Sequence, residues 1–171
     1  MGETFNPRIY VACLAAYNDG VLHGCWINAD QDEHTIRDAI ALMLARSPVM
    51  FAEEYAIHDY EGFEGVGISE YADIGSVRQI AAFIAEHGEL GGKLMEYFGA
   101  LDAAREAMED HYAGQYASVA DFAQELTEQS TQIPACLQYY IDWERMARDL
   151  IINDVLAIET GFECVHIFWR R

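Results

Sequence analysis

Positive charge is almost missing from this chain. It has one lysine, Lys93, and nine arginines against 29 acidic residues, a formal charge of −19 over 171 residues. So few cations disfavour binding to phosphate or nucleic acid, which is first a matter of charge density. No run of about 18 apolar residues is present, which argues against a membrane-spanning helix. Residues 1–8 lack an apolar core, so no secretion signal is expected. Cys13, Cys25, Cys136 and Cys164 form no C-x-x-C pair, which argues against a disulfide framework or zinc site and for reduced cytosolic thiols. Neither a Walker-type phosphate loop nor G-x-G-x-x-G occurs.

Catalytic signatures are equally scarce. His23, His34, His58, His87, His111 and His166 show no H-E-x-x-H spacing. Asp30-x-Asp32 opens like a calcium loop, but Thr35 stands where the sharp-turn glycine belongs and Ala41 where the bidentate glutamate belongs. Adjacent acids such as Glu53-Glu54 and Glu109-Asp110 are expected by chance among 29, so they do not mark a hydrolase. Cys13 and Cys25 fall in apolar stretches, where burial raises a thiol pKa instead of activating it. No catalytic residue, cofactor site or metal site is expected, and the chain reads as a non-enzyme.

What is abundant is acid on a foldable chain. Hydrophobic residues make up 52% and aromatics 12%, too much for an acidic disordered polymer. The charge far exceeds the roughly 2–8 that keeps a small domain soluble. It is also spread: residues 1–60 carry −6, 61–110 carry −8 and 111–171 carry −5. Glu53, Glu54, Asp59, Glu61, Glu64, Glu70 and Asp73 lie between Arg46 and Arg78 without an intervening cation. Glu106, Glu109, Asp110, Asp121, Glu125, Glu128, Asp142 and Glu144 do the same between Arg105 and Arg145. With Glu86, Glu89, Glu96 and Asp102 these form the candidate functional surface. Its natural partner is strongly basic, such as a protein that itself binds nucleic acid.

Periodicity predicts an α+β fold, an elongated chain of three small lobes. The N-terminal α/β lobe (1–61) has strands over 8–17 and 20–28 joined at Asn18-Asp19-Gly20. A helix follows over 32–46, capped by Asp30 or Asp32, then a strand over 54–59. The central helical lobe (62–110) follows the glycines at 62, 65 and 67, with Ser76 as a cap and Gly88 as a terminator. The C-terminal α+β lobe (111–171) has a strand over 112–117 and a helix capped by Ser118. A second helix is expected over 137–150, then strands over 155–159 and 164–169 turning at Thr160-Gly161.

Several segments resemble the ArdA antirestriction proteins. They are Pro7-Arg8-Ile9-Tyr10-Val11, Tyr17-Asn18-Asp19-Gly20, Gly24-Cys25-Trp26, and above all Glu53-Glu54-Tyr55-Ala56-Ile57-His58-Asp59-Tyr60-Glu61. Gly114-Gln115-Tyr116-Ala117-Ser118 with Asp121-Phe122-Ala123 is similar too. So are Ile133-Pro134-Ala135-Cys136-Leu137-Gln138-Tyr139-Tyr140-Ile141-Asp142-Trp143 and Ala147-Arg148-Asp149-Leu150. The resemblance is in order and nearly full-length, weakest over 74–105. It implies a cytoplasmic, element-encoded DNA mimic, elongated and homodimeric, that occupies the DNA groove of type I restriction–modification enzymes without itself binding DNA or membrane. Two chains would carry about the formal charge of 65 Å of duplex, at one charge per ~1.7 Å of axis. Aromatic residues of the last lobe, Tyr112, Tyr116, Tyr139 and Phe168, are the candidate dimer contact. The competing reading is an acidic interaction or chaperone-like module for another basic protein.

Overall fold

The computed structural model describes residues 5–170, so the N-terminal reading over residues 1–4 lies outside it. The fold is α+β, with two three-stranded antiparallel sheets and helices in two compact units, 1–101 and 102–171.

In the first unit, β1 (Arg8–Cys13) is the central strand, flanked by β2 (Gly24–Asn28) and β3 (Tyr55–Glu61). Ile9 and Val11 are buried, as expected of β-branched side chains in a covered strand. β1 and β2 pair from Arg8↔Asn28 to Ala12↔Gly24. The chain turns at Asn18-Asp19-Gly20 as expected, but this turn does not join the two strands directly. Before it, α1 (Leu14–Asn18) is a single helical turn that buries Ala16, and it ends where the Gly20 and Val21 amides donate to the Tyr17 and Ala16 carbonyls. Leu-Ala-Ala favours a helix over an extended run, and Gly20, at φ 77°, supplies the left-handed exit.

Helix α2 (Glu33–Ala45) starts as expected: the Asp32 carboxylate accepts from the His34 amide. Ile36, Ile40 and Met43 face inward at helical spacing. Helix α3 (Ile74–Phe98) is capped by Asp73, whose carboxylate accepts from the Ser76 amide. Ser76, expected as the cap, therefore lies one turn inside, because the acid three residues earlier reaches its amide. Gly88 breaks α3 with φ 55° and ψ −136°, and Gly99 ends it in a left-handed conformation. Ile74, Val77 and Ala81 join Ile9, Val11, Ile36, Ile57 and Phe63 in one core. The first part of α3 thus shares the core of the N-terminal sheet. Beyond the break, Gly92 lets the helix approach the backbone carbonyl of Glu64, which a Cβ would meet.

In the second unit, α4 (Leu101–Glu106) widens into a π turn over Ala107–His111 and leads into β4 (Tyr112–Tyr116). Ser118 caps α5 (Val119–Ser130) by accepting from the Asp121 amide. The helix expected over 137–150 is shorter. A 3₁₀ turn (Gln138–Tyr140) precedes α6 (Trp143–Asn153), which starts at Asp142 because its carboxylate caps the Arg145 amide. Tyr140, within the expected span, is exposed. Strands β5 (Val155–Gly161) and β6 (Cys164–Trp169) close the sheet in the order β4-β6-β5. Their turn is Phe162-Glu163, two residues beyond Thr160-Gly161, with Glu163 at φ 50°. Phe122, Val155, Val165 and Ile167 form the core, with Leu126 and Leu150 against it. Full burial of each such side chain is worth about 1.5–3 kcal/mol.

Candidate functional site: an acidic surface

Among the described residues no polar or charged side chain is buried. The carboxylates are therefore on the surface, and by sequence the two units carry −11 and −8. Of the candidate acids, Glu64 alone is half-buried, held at φ 49° between Gly62 and Gly65; the others are exposed.

Most sit on a helix or strand, and the rest lie outside them, several immediately before one. Glu53 and Glu54 precede β3, and Asp59 and Glu61 stand on it. Glu70 and Asp73 lead into α3, which carries Glu86, Glu89 and Glu96. Asp102 and Glu106 are on α4, Glu109 and Asp110 on the π turn, and Glu144 on α6. Asp121, Glu125 and Glu128 follow one another on α5 at spacings of four and three residues, which stacks them on one face. Such like-charge neighbours repel.

Counter-ions from the protein itself are few. Arg8 pairs with Glu61 and also lies 4.8 Å from the centre of the Trp26 ring. Arg37 bridges Glu33 at 2.7 Å and Asp73 at 3.7 Å, and Lys93 meets Glu89 at 2.9 Å. His58, His87 and His111 lie within 4 Å of Glu70, Glu86 and Glu106. Glu53, Glu54, Glu96, Asp102, Glu109, Asp110, Asp121, Glu125, Glu128, Asp142 and Glu144 make no ion pair among the described residues. Several candidate acids also hold the fold: Asp73 and Asp142 cap helices, and Asp121 bonds the Ser118 hydroxyl.

The aromatic candidates separate. Tyr139 is 94% exposed and Tyr112 37%. Tyr116 is half-buried, with its hydroxyl 3.4 Å from Glu125 Oε1. Phe168 is 1% exposed, which removes it from any surface contact.

Sequence reasoning missed a polar cluster on the second sheet. Tyr112 Oη lies 2.9 Å from His166 Nδ1, and Thr160 Oγ1 lies 3.1 Å from His166 Nε2 and from Cys164 Sγ. It is assembled across three strands, so no spacing along the chain reveals it. Burial lowers the His166 pKa and raises that of Tyr112. These contacts tie the three strands together. Among the described residues no cluster of His, Cys, Asp and Glu could hold a metal ion.

Since the unfolded His166 binds its proton more readily than the folded one, its contribution is complete above about pH 6.5 and declines as pH falls below that value. His87, lowered by burial against the opposing pull of Glu86, acts in the same sense. The stability advantage of the native chain over His166→Gln is thus expected to shrink between pH 7.5 and 5.5, as measured by paired thermal melts.

A family model described as Antirestriction protein (ArdA) matches residues 9–164. A comparison with curated proteins finds no match. No helix among the described residues is long and apolar enough to cross a membrane.

Proposed function

The chain belongs to the ArdA family of antirestriction proteins, and on that premise we propose that it is a DNA mimic. It occupies the DNA-binding groove of a type I restriction–modification enzyme and blocks restriction, together with modification where the two share the groove. The observation that carries this reading is the exposed, largely unpaired carboxylate surface, spread over both units and seated on helices, strands and anchored turns. Lys and Arg side chains that clamp phosphates in the groove meet Asp and Glu instead. Carboxylates on ordered elements lose less freedom on binding than an acidic tail would. Attraction between opposite potentials speeds encounter. The active species in this reading is a homodimer whose contact involves Tyr112, Tyr116 and Tyr139.

The test is displacement of a labelled duplex from a purified methyltransferase–specificity core, with sedimentation in the same buffer to count chains. The native protein is expected to release the duplex stoichiometrically as a dimer, and to give no shift of free duplex in a gel. Tight direct binding to DNA at moderate salt would refute the mimic. Binding energy should be spread thinly, because one exposed ion pair is worth about 0–1 kcal/mol. Glu125→Gln or Glu64→Gln should therefore change the displacement midpoint by no more than about fivefold. Abolition by a single such change, with the melt unaltered, would mean a local hot spot instead.

A further inference from the structure

The connection between α2 and β3 carries an aromatic side chain that the fold does not use. Phe51 is 93% exposed and its neighbour Met50 81%. Phe51 also has φ 60°, a left-handed turn conformation that glycine or asparagine adopts without strain and an aromatic residue rarely does. The segment around it is tied down. Val49 and Ala52 pack against the core on either side. The Val49 amide donates to the Ser47 hydroxyl, and the Leu14 amide donates to the Glu54 carbonyl. A strained backbone held on both flanks, with its ring in water, is disfavoured locally and compensated elsewhere, a pattern that gathers at functional sites. Phe162 is just as exposed, but the positive φ of its turn falls on Glu163 and not on the residue that carries the ring.

Two exposed carboxylates, Glu53 and Glu54, follow Phe51 within three residues. The partner complementary to this tip has basic side chains around an apolar, π-faced slot. An enzyme that modifies a base inside a duplex contains such a slot: it extrudes the base, stacks it between aromatic or apolar side chains, and holds the flanking phosphates with cations. We propose that Phe51 enters the base pocket of the modifying subunit, with Glu53 and Glu54 in place of the flanking phosphates. This rests on the DNA-mimic reading and adds a contact that charge alone does not make.

The experiment is displacement of duplex from the methyltransferase–specificity core by the native chain, Phe51→Gly and Phe51→Trp, over a salt series and with thermal melts. Phe51→Gly is expected to bind at least tenfold more weakly. Its slope of log affinity against log salt should be unchanged, since no charge is lost, and its melting temperature should be equal or higher, since the strain is relieved. Phe51→Trp should bind within about threefold of the native chain. Methyl transfer requires the pocket to adjoin the methyl donor, so adding that donor should shift the indole emission of the bound Phe51→Trp protein relative to the bound native chain. Undiminished binding by Phe51→Gly, or a loss accompanied by a lower melting temperature, overturns the inference. So does an emission indifferent to the donor. If the native chain displaces duplex and the glycine variant does so equally well, the anchor alone fails. If the native chain displaces nothing, the mimic fails with it.

Discussion

Gly88→Ala is expected to destabilise the first unit by roughly 2–5 kcal/mol, combining backbone strain with overpacking. Two causes act together. At φ 55° and ψ −136° the backbone is in a region that a Cβ forbids. The place that Cβ would take is already filled by the Phe5 ring. The alternative open to the variant is no cheaper. If residue 88 took helical angles, α3 would run straight through, and Leu90 and Leu94, both buried, would leave their packing sites. For a unit of this size the melting temperature should drop by roughly 10–25 °C. Gly67→Ala is the control. Its Cβ meets nothing nearer than the Tyr60 hydroxyl at 3.9 Å, and its φ is not left-handed. It should melt within a few degrees of the native chain. A Gly88→Ala protein as stable as that control would mean that the break in α3 is incidental to the fold.

Salt is expected to move stability and partner binding in opposite directions. The melting temperature should rise as sodium chloride increases from 50 to 200 mM, because screening acts over a Debye length of about 10 Å at 0.1 M and relieves repulsion among crowded carboxylates. The ion pairs weakened at the same time, Arg37 with Glu33 and Lys93 with Glu89 among them, are exposed and each worth about 0–1 kcal/mol. Affinity for the restriction–modification core should fall at least tenfold over that range. It should fall less than the ~10³–10⁵ seen when a protein makes 6–10 contacts to DNA itself, since a folded protein holds its counter-ions less densely than a duplex does. Melts and displacement titrations over one salt series measure both. A melting temperature that drops with salt would mean that attraction among native ion pairs outweighs repulsion. A flat affinity would mean an apolar interface and would remove the basis for mimicry.

What was legible in the sequence was set by local chemistry. Asp32 capping α2, Ser118 capping α5 and Gly88 interrupting α3 need only side chains a few residues apart. Competition between neighbours was harder to read. Asp73 outreaches Ser76 for the start of α3, Asp142 starts α6 after a 3₁₀ turn, and Leu14–Asn18 coils where a continuous strand was expected. Exposure of the carboxylates followed from their number, since a core of this size cannot hold charges without partners. The individual contacts did not follow. The Tyr112–His166–Thr160 cluster depends on strand register, which pairs Gln115 and Ile158 with His166. Phe168 and Tyr139, both aromatic and both near the C-terminus, differ by burial that composition does not encode. Phe51 reads as an ordinary apolar residue until its backbone angle is known.

That no charged side chain among the described residues lies in the interior bears on how such a protein can change over generations. The core is specified by apolar residues alone, so most acids can be exchanged, lost and regained elsewhere without asking the chain to refold. Those that hold local structure, such as Asp32, Asp73 and Asp142 at helix starts and Asp121 on the Ser118 hydroxyl, are tied to their positions. If the whole charge pattern and not any one letter is under selection, lineages facing different host enzymes can redraw the surface freely while the hydrophobic framework stays put. Sequence divergence should then concentrate at exposed acidic positions and spare the buried ones.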